Sequence, residues 1–450
     1  MTASRPDRRG PSFGTRVGAA LRTLRRQDPV LEPAEARVGV PALLGEVGAA
    51  LLAASQATTD VESTLRRLAA TYDQPQLRVF VLPTLVLVED VGATPAQTGI
   101  FPADGAALRL DQAGAVEHVV RRAFQERTPP EDVVREIARI TAAPPRFGGF
   151  LTVVGYALLT VGFGLVLNPT LTALPVYVVL GVAVGTILLF GSRIQTLSLI
   201  LPVFTAFAVT LVVSLVVRPI VHDDVLRLVA PSLVSFLPGL TLTIAAVELT
   251  SGQVMAGASR LVYGIARLGL LAFGVFAGIS VAGEPVTSSS DTVQLGPWAP
   301  WVGIVLVALG YYLYSSAPRR SLVWIAYALL VSYAAQLLGN VLIGPELSGL
   351  VGAVIVVPAV YLAARVKAAP PTAIMLTCAY WLLVPGSMGF IGIAETAAGT
   401  AGGTETILKT FGSLIAIAIG MLIGGGLSKD ATAIARAWRD GPRQDRTKTT

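Results

Sequence analysis

Charge is what this chain has least of. Only 14% of its 450 residues are Asp, Glu, Lys or Arg, against 53% hydrophobic, and the mean hydropathy is +0.67. So little charge cannot clothe a soluble surface, which excludes the ordinary globular class and indicates a polytopic membrane protein. Cysteine is nearly missing too. The single Cys378 lies in an apolar run, so an intramolecular disulfide is excluded and the thiol is expected to pack as a small hydrophobe. Two histidines, His118 and His222, leave little for a metal site, and neither a metal nor another cofactor is expected. A Walker loop is missing, which argues against direct ATP drive. The first 30 residues contain no apolar segment and no small-residue cleavage site, so no cleaved signal peptide is expected.

The charge that is present gathers toward the ends. Residues 1–38, with Arg5, Arg8, Arg9, Arg16, Arg22, Arg25 and Arg26, read as a disordered basic tail, either solvated or laid against anionic lipid headgroups. Residues 39–149 read as a cytosolic α+β domain, because no run there reaches the length of a membrane helix. "VGVPALLGEVGAALLAAS" and "TTDVESTLRRLAATYD" have helical spacing, and "LRVFVLPTLVLVED" predicts one or two strands around Pro83. "DQAGAVEHVVRRAFQ" and "TPPEDVVREIARI" predict amphipathic helices, the second capped by Thr128. Ser55, Thr58, Thr59, Asp60 and Glu62 match no hydrolase motif; Thr58 or Thr59 with Glu62 reads as a capping box, and no enzymatic activity is expected.

From 150 to 428 the chain is almost continuously apolar, and breaks at Gly, Pro and charged residues divide it into ten spans. Their limits are 150–167, 172–190, 196–217, 225–247 and 259–282, then 297–316, 321–343, 347–366, 372–394 and 406–427. If the amino terminus is inside, the inward connections hold Arg193, Arg260, Arg319, Arg320, Arg365 and Lys367, and the 429–450 tail adds Lys429, Arg436 and Arg439. The outward ones hold only Arg218, Arg227 and Lys409. By the positive-inside rule both termini are then cytoplasmic. "HDD" at 222–224 falls in an outward loop, where it reads as a solvated turn more readily than as a cation site.

The two halves echo each other. Pro238-Gly239 lies in the middle of the fourth span and Pro385-Gly386 in the middle of the ninth, each followed at the same offset by a glutamate, Glu248 or Glu395. An odd number of crossings per half gives repeats 150–282 and 297–428 opposite orientations: a 5+5 inverted repeat, with a site on broken helices near the midplane. Proline removes a backbone donor and frees carbonyls, which hydrocarbon does not tolerate unless protein, water or ligand satisfies them. Candidate substrate contacts are therefore Ser235, Pro238, Gly239, Pro385 and Gly386, with Ser232 beside the first break. Gln336 and Asn340, one helical turn apart, are either further contacts or interhelical hydrogen-bond partners. Glu248 and Glu395 are either proton carriers or helix-end charges that reach water.

The residues "TTDVESTLRRLAATYDQPQLRVFVLPTLVLVED", "PPRFG" and "LPGLTLTIAAVELTSGQVMAGASRLVYG" resemble the threonine/serine exporter family of bacterial inner-membrane proteins, over about residues 40–428. "PPTAIMLTCAYWLLVPGSMGF" is similar to the small partner subunit that some members encode separately, which would make this chain the fused form. The resemblance implies proton-driven export of L-threonine and L-serine from the inner (plasma) membrane, with membrane lipids around the protein, no nucleic-acid partner, and a homo-oligomer allowed. Some relatives carry other small metabolites such as dicarboxylates. The residues favour a zwitterion, since only Arg260, Arg267 and Lys409 place positive charge near the spans. A membrane-anchored enzyme using the cytosolic domain, and a non-transporting scaffold, are the other classes left open.

Overall fold

The computed structural model of the protein describes residues 39–92, 97–103, 106–191, 195–221, 223–283, 294–366, 368–383, 386–397 and 403–440, with backbone alone over 195–199, 386–389 and 429–440. The basic tail, His222 and Pro385 lie outside the described residues.

The amino-terminal part is a small α/β unit with its own core. Helix α1 (Val40–Ala53) has almost no polar face because it is the central element: α2 (Thr58–Thr71), α3 (Leu110–Glu126), α4 (Pro130–Ala142) and two strands all pack on it. The expected strand region is two strands, β1 (Leu77–Leu82) and β2 (Leu85–Asp90), turning at Pro83-Thr84. A third, β3 (Gln97–Pro102), completes an antiparallel sheet in the order β1-β2-β3. Sequence pattern missed it because "QTGIFP" lacks a branched apolar run. Leu77, Val79 and Val81 face the helices, while Phe80, Leu87 and Ile100 stand in register across the other face. Two expected caps are corrected. Pro129, not Thr128, precedes α4, where fixed φ suits the first turn. No Thr–Glu62 capping box opens α2; Ala57 is its cap position and makes no side-chain bond.

The remainder is a helical bundle: α5 (Gly149–Leu167), α6 (Leu174–Gly191), α7 (Gln195–Val212), α8 (Val225–Val229), α9 (Gly239–Thr250), α10 (Val254–Ala282), α11 (Ala299–Tyr314), α12 (Leu322–Ile343), α13 (Ser348–Ala363), α14 (Thr372–Leu383), α15 (Gly386–Ala397) and α16 (Gly403–Asp440). Among the described residues six helices are long and apolar enough to cross a membrane, and seven if the bent pair Val225–Phe236 and Gly239–Thr250 is one span. The chain is a polytopic helical membrane protein. Of the ten expected spans, the sixth, eighth and ninth correspond to α11, α13 and α14, which stop at 16, 16 and 12 residues. At about 1.5 Å per residue, 16 residues reach only about 24 Å. The last helix is longer than expected, running past 428 to Asp440.

Helices α5 and α11 pack backbone against backbone at paired glycines. Gly162 faces Gly303 and Gly155 faces Gly310, so the two helices run antiparallel with backbones nearly touching; a Cβ on Gly303 would lie 2.7 Å from the Gly162 carbonyl oxygen. Around this pair, α10 packs on α7 and α16 on α13, while α9 lies between α10 and α16 and α15 between α16 and α10. Tyr311 is buried against Trp381. Replacing Gly303 with Val should push the pair apart and cost about 1–3 kcal/mol. The expected readout is a lower melting temperature and early elution of aggregated protein in detergent, with Gly269→Val, where a Cβ meets open space, as the silent comparison.

Candidate functional site

The first break is built by proline chemistry. Pro238 cannot donate to the preceding turn and pushes Leu237 into extended backbone, so the chain passes from a 3-10 turn (Ala230–Phe236) to α9 with a 66° bend. Pro238 gives α9 no side-chain cap. The neighbouring serines are engaged by a residue that sequence pattern did not single out. Tyr156 Oη donates to the Ser232 carbonyl at 2.7 Å and lies 2.9 Å from Ser235 Oγ, with Tyr314 edge-on to its ring. A lone tyrosine in an apolar helix carries no signal of that role.

The second break is described only on its flanks. Pro385 lies outside the described residues, and Gly386 begins α15. Gln336 donates Nε2 to the carbonyl of Leu383, 3.2 Å away, so it supplies a donor to backbone that ends just before the break. Asn340 does not join it; its side chain is exposed on the bundle surface. Residues four apart share a helix face, but that face here runs from the bundle interior to its edge.

The two glutamates stand at opposite ends of the bundle. Glu395, half-buried at the end of α15, neighbours Thr406, Asp224 and Arg227. Asp223, next in that loop, is buried and accepts from Asn168 and Thr170 at 3.0 and 3.2 Å, so the expected solvated turn is instead packed. Glu248, at the end of α9, is fully buried beneath the α/β unit, so of its two expected roles the one that reaches water does not fit this position.

Glu248 is the cap that α2 lacks in its own sequence. Its Oε1 accepts from the backbone N–H and from Oγ1 of Thr58, both at 2.9 Å, across 190 residues of chain. A carboxylate at a helix N-terminus meets unpaired N–H groups and the positive end of the helix dipole. Arg260 of α10 brings Nε to 3.1 Å from Oε2, yet off the line of its N–H, so this is an ion pair without a hydrogen bond. Two glycines make the arrangement. Gly252, at φ 86°, turns α9 back into α10, and Gly257 lets α10 press against Leu249 and the Ala245 carbonyl, where a Cβ would clash. The docked face continues with Gln253 donating to Glu62 at 3.5 Å, the Glu62–Arg66 pair, and Arg146 of "PPRFG", which donates to Tyr312 Oη and the Ala317 carbonyl.

Glu117 of α3 belongs to the same junction. It is near Tyr361 of α13, its Oε2 is buried without a partner, and burial raises its carboxyl from 4.5 to about 7 against the lowering pull of Arg121. A raised carboxylate stabilises the protonated, docked form. That contribution is fully present below pH about 4.5 and is lost as pH rises through about 7. Melting curves of the purified chain should therefore fall across that window, and Glu117→Gln should flatten the fall. At the capping carboxylate, Thr58→Val removes one of two donors and should cost about 1–3 kcal/mol. Glu248→Leu strands Arg260 and should cost about 3–5 kcal/mol, read as a larger drop in melting temperature.

No curated protein and no solved structure matches the chain. The family model of the threonine/serine exporters, ThrE, matches residues 42–282, more than half of the chain, from α1 through the docked carboxylate to the end of α10. The chain belongs to the threonine/serine exporter family.

Proposed function

We propose that the chain exports L-threonine and L-serine across the inner (plasma) membrane as a proton-coupled antiporter, with both termini and the α/β unit cytoplasmic. One observation supports the reading: three helices on either side of residue 290 share one pattern of packed pairs. Swapping α7, α9 and α10 for α13, α15 and α16 maps each packed pair onto another, and α5 and α11 cross as an antiparallel pair. Two five-element repeats of opposite orientation account for that pattern, with α8 and the 3-10 turn before α9 matching α14 before α15. α11, α13 and α14 are then spans shortened at their ends or divided by the break.

Within this reading the substrate path passes between the breaks, past Ser235, Pro238 and Gly239 on one side and Gln336, Pro385 and Gly386 on the other. Asn340, exposed on the bundle edge, serves oligomer or lipid contact instead. Glu248 and Glu395, closing the two half-helices at opposite ends, are the proton-coupling groups. The half beyond 282 acts as the fused partner subunit. The α/β unit, held to the bundle by Glu248, serves as a cytosolic cover and not as an enzyme.

Counterflow in proteoliposomes tests the reading. Preloaded threonine should drive uptake of labelled threonine or serine, and collapsing the proton gradient should abolish net transport. Pro238→Ala should lower the rate by about tenfold or more at equal protein yield, since it restores a continuous helix at the break. No exchange of either amino acid by the wild type would refute the proposal.

A further inference from the structure

The polar groups left unsatisfied at the junction gather at one point. Glu248 spends Oε1 on Thr58, but Oε2 is buried and accepts no hydrogen bond. Arg260 Nε and Nη2 are likewise buried and donate to nothing. Each orphaned group of this kind costs about 1–3 kcal/mol, and more when charged. Three of them on one ion pair exceed what docking requires, because Oε1 alone already holds α2.

The unmet set has a definite shape: one anionic acceptor beside two parallel guanidinium donors. Its complement is a molecule with a cationic donor close to a planar, two-oxygen anion. An α-amino acid head group has that form, since its carboxylate fits the Nε–Nη2 edge of arginine and its ammonium needs an acceptor alongside. The pair is also neutral overall, so a zwitterion adds no net charge to a buried site, whereas a dicarboxylate would bring two negative charges to a single guanidinium.

We propose that Glu248 and Arg260 form the head-group site for a zwitterionic α-amino acid, with the ammonium on Glu248 Oε2 and the carboxylate on Arg260 Nε and Nη2. The identity of the amino acid rests on the exporter reading; the head-group chemistry rests on the unpaired atoms. The carboxylate divides its labour, one oxygen for α2 and the other for the ligand, so α2 with Thr58 is the cover of the site. In this conformation the cover is shut, and the ligand enters when α2 lifts from the end of α9.

The test uses the full chain in proteoliposomes, with labelled threonine counterflow as readout. R260K should raise the KM for threonine about tenfold or more while the maximal rate stays within about threefold of wild type. E62Q, which disturbs the same docked face through Gln253 and Arg66, should leave KM unchanged. In the wild type, serine should compete, while ethanolamine, lacking the carboxylate, and glycerate, lacking the ammonium, should not. A KM within about twofold of wild type in R260K, or a fall in rate alone, would mark the pair as a docking contact only and overturn the site. Competition by ethanolamine or glycerate as strong as by serine would also overturn it. If the wild type exchanges no threonine, the exporter reading falls by itself. The site is then judged by thermal stabilisation of the purified chain with a panel of α-amino acids: a shift lost in R260K supports it, and no shift with any of them overturns it.

Discussion

A carboxylate shut away from water has to be matched by something, and in this protein the match joins the α/β unit to the helical bundle. Glu248 ends a half-helix inside the bundle, and the groups that meet it are the first turn of α2 and the guanidinium of Arg260. Removing water from a carboxylate costs several kcal/mol, roughly, unless charge and donors replace it. The α/β unit therefore cannot leave the bundle without re-exposing or stranding that charge. The bend at Pro238 sets where α9 ends, Gly252 and Gly257 set where α10 returns, and together they put the carboxylate under the incoming helix.

The same junction explains features that look unrelated in the chain. α2 opens without a cap of its own, because its cap is supplied by another part of the molecule. Arg146 follows two prolines that end α4's extension, and it crosses to Tyr312 and the Ala317 carbonyl at the start of α12's approach. Leu110, the first residue of α3, belongs to the core formed by α5, α11, α12 and α14. The unit is thus seated on the bundle at several points, and the one at Glu248 is an ion pair whose carboxylate is wholly buried.

Much of this fold was legible in the sequence because hydrophobic run length and proline placement are local properties. The helices of the α/β unit, the strands on either side of Pro83, the apolar bundle and the broken helix at Pro238 follow from patterns within about twenty residues. What was not legible depends on distance along the chain. Nothing local to "AVELTSG" distinguishes a glutamate that reaches water from one that meets Thr58, and nothing local to "TTDVES" indicates a cap from elsewhere. The capping-box pattern there was satisfied in sequence, yet tertiary packing overrode it. Tyr156 was missed, and Arg260 was read only as a charge near the span ends, for the same reason: each is an isolated polar residue whose partner lies on another helix. β3 was missed because its strand is held by pairing with β2 and not by its own composition.

The glycine contact between α5 and α11 limits how the bundle can move. The carbonyls of Gly162 and Gly303 sit against the opposing backbone, flanked by the side chains of Val307 and Leu165. A side chain at either glycine would require the backbones to part. A contact this tight resists separation more than rolling or sliding along the seam, so displacement between α5 and α11 is smallest at these glycines and grows away from them.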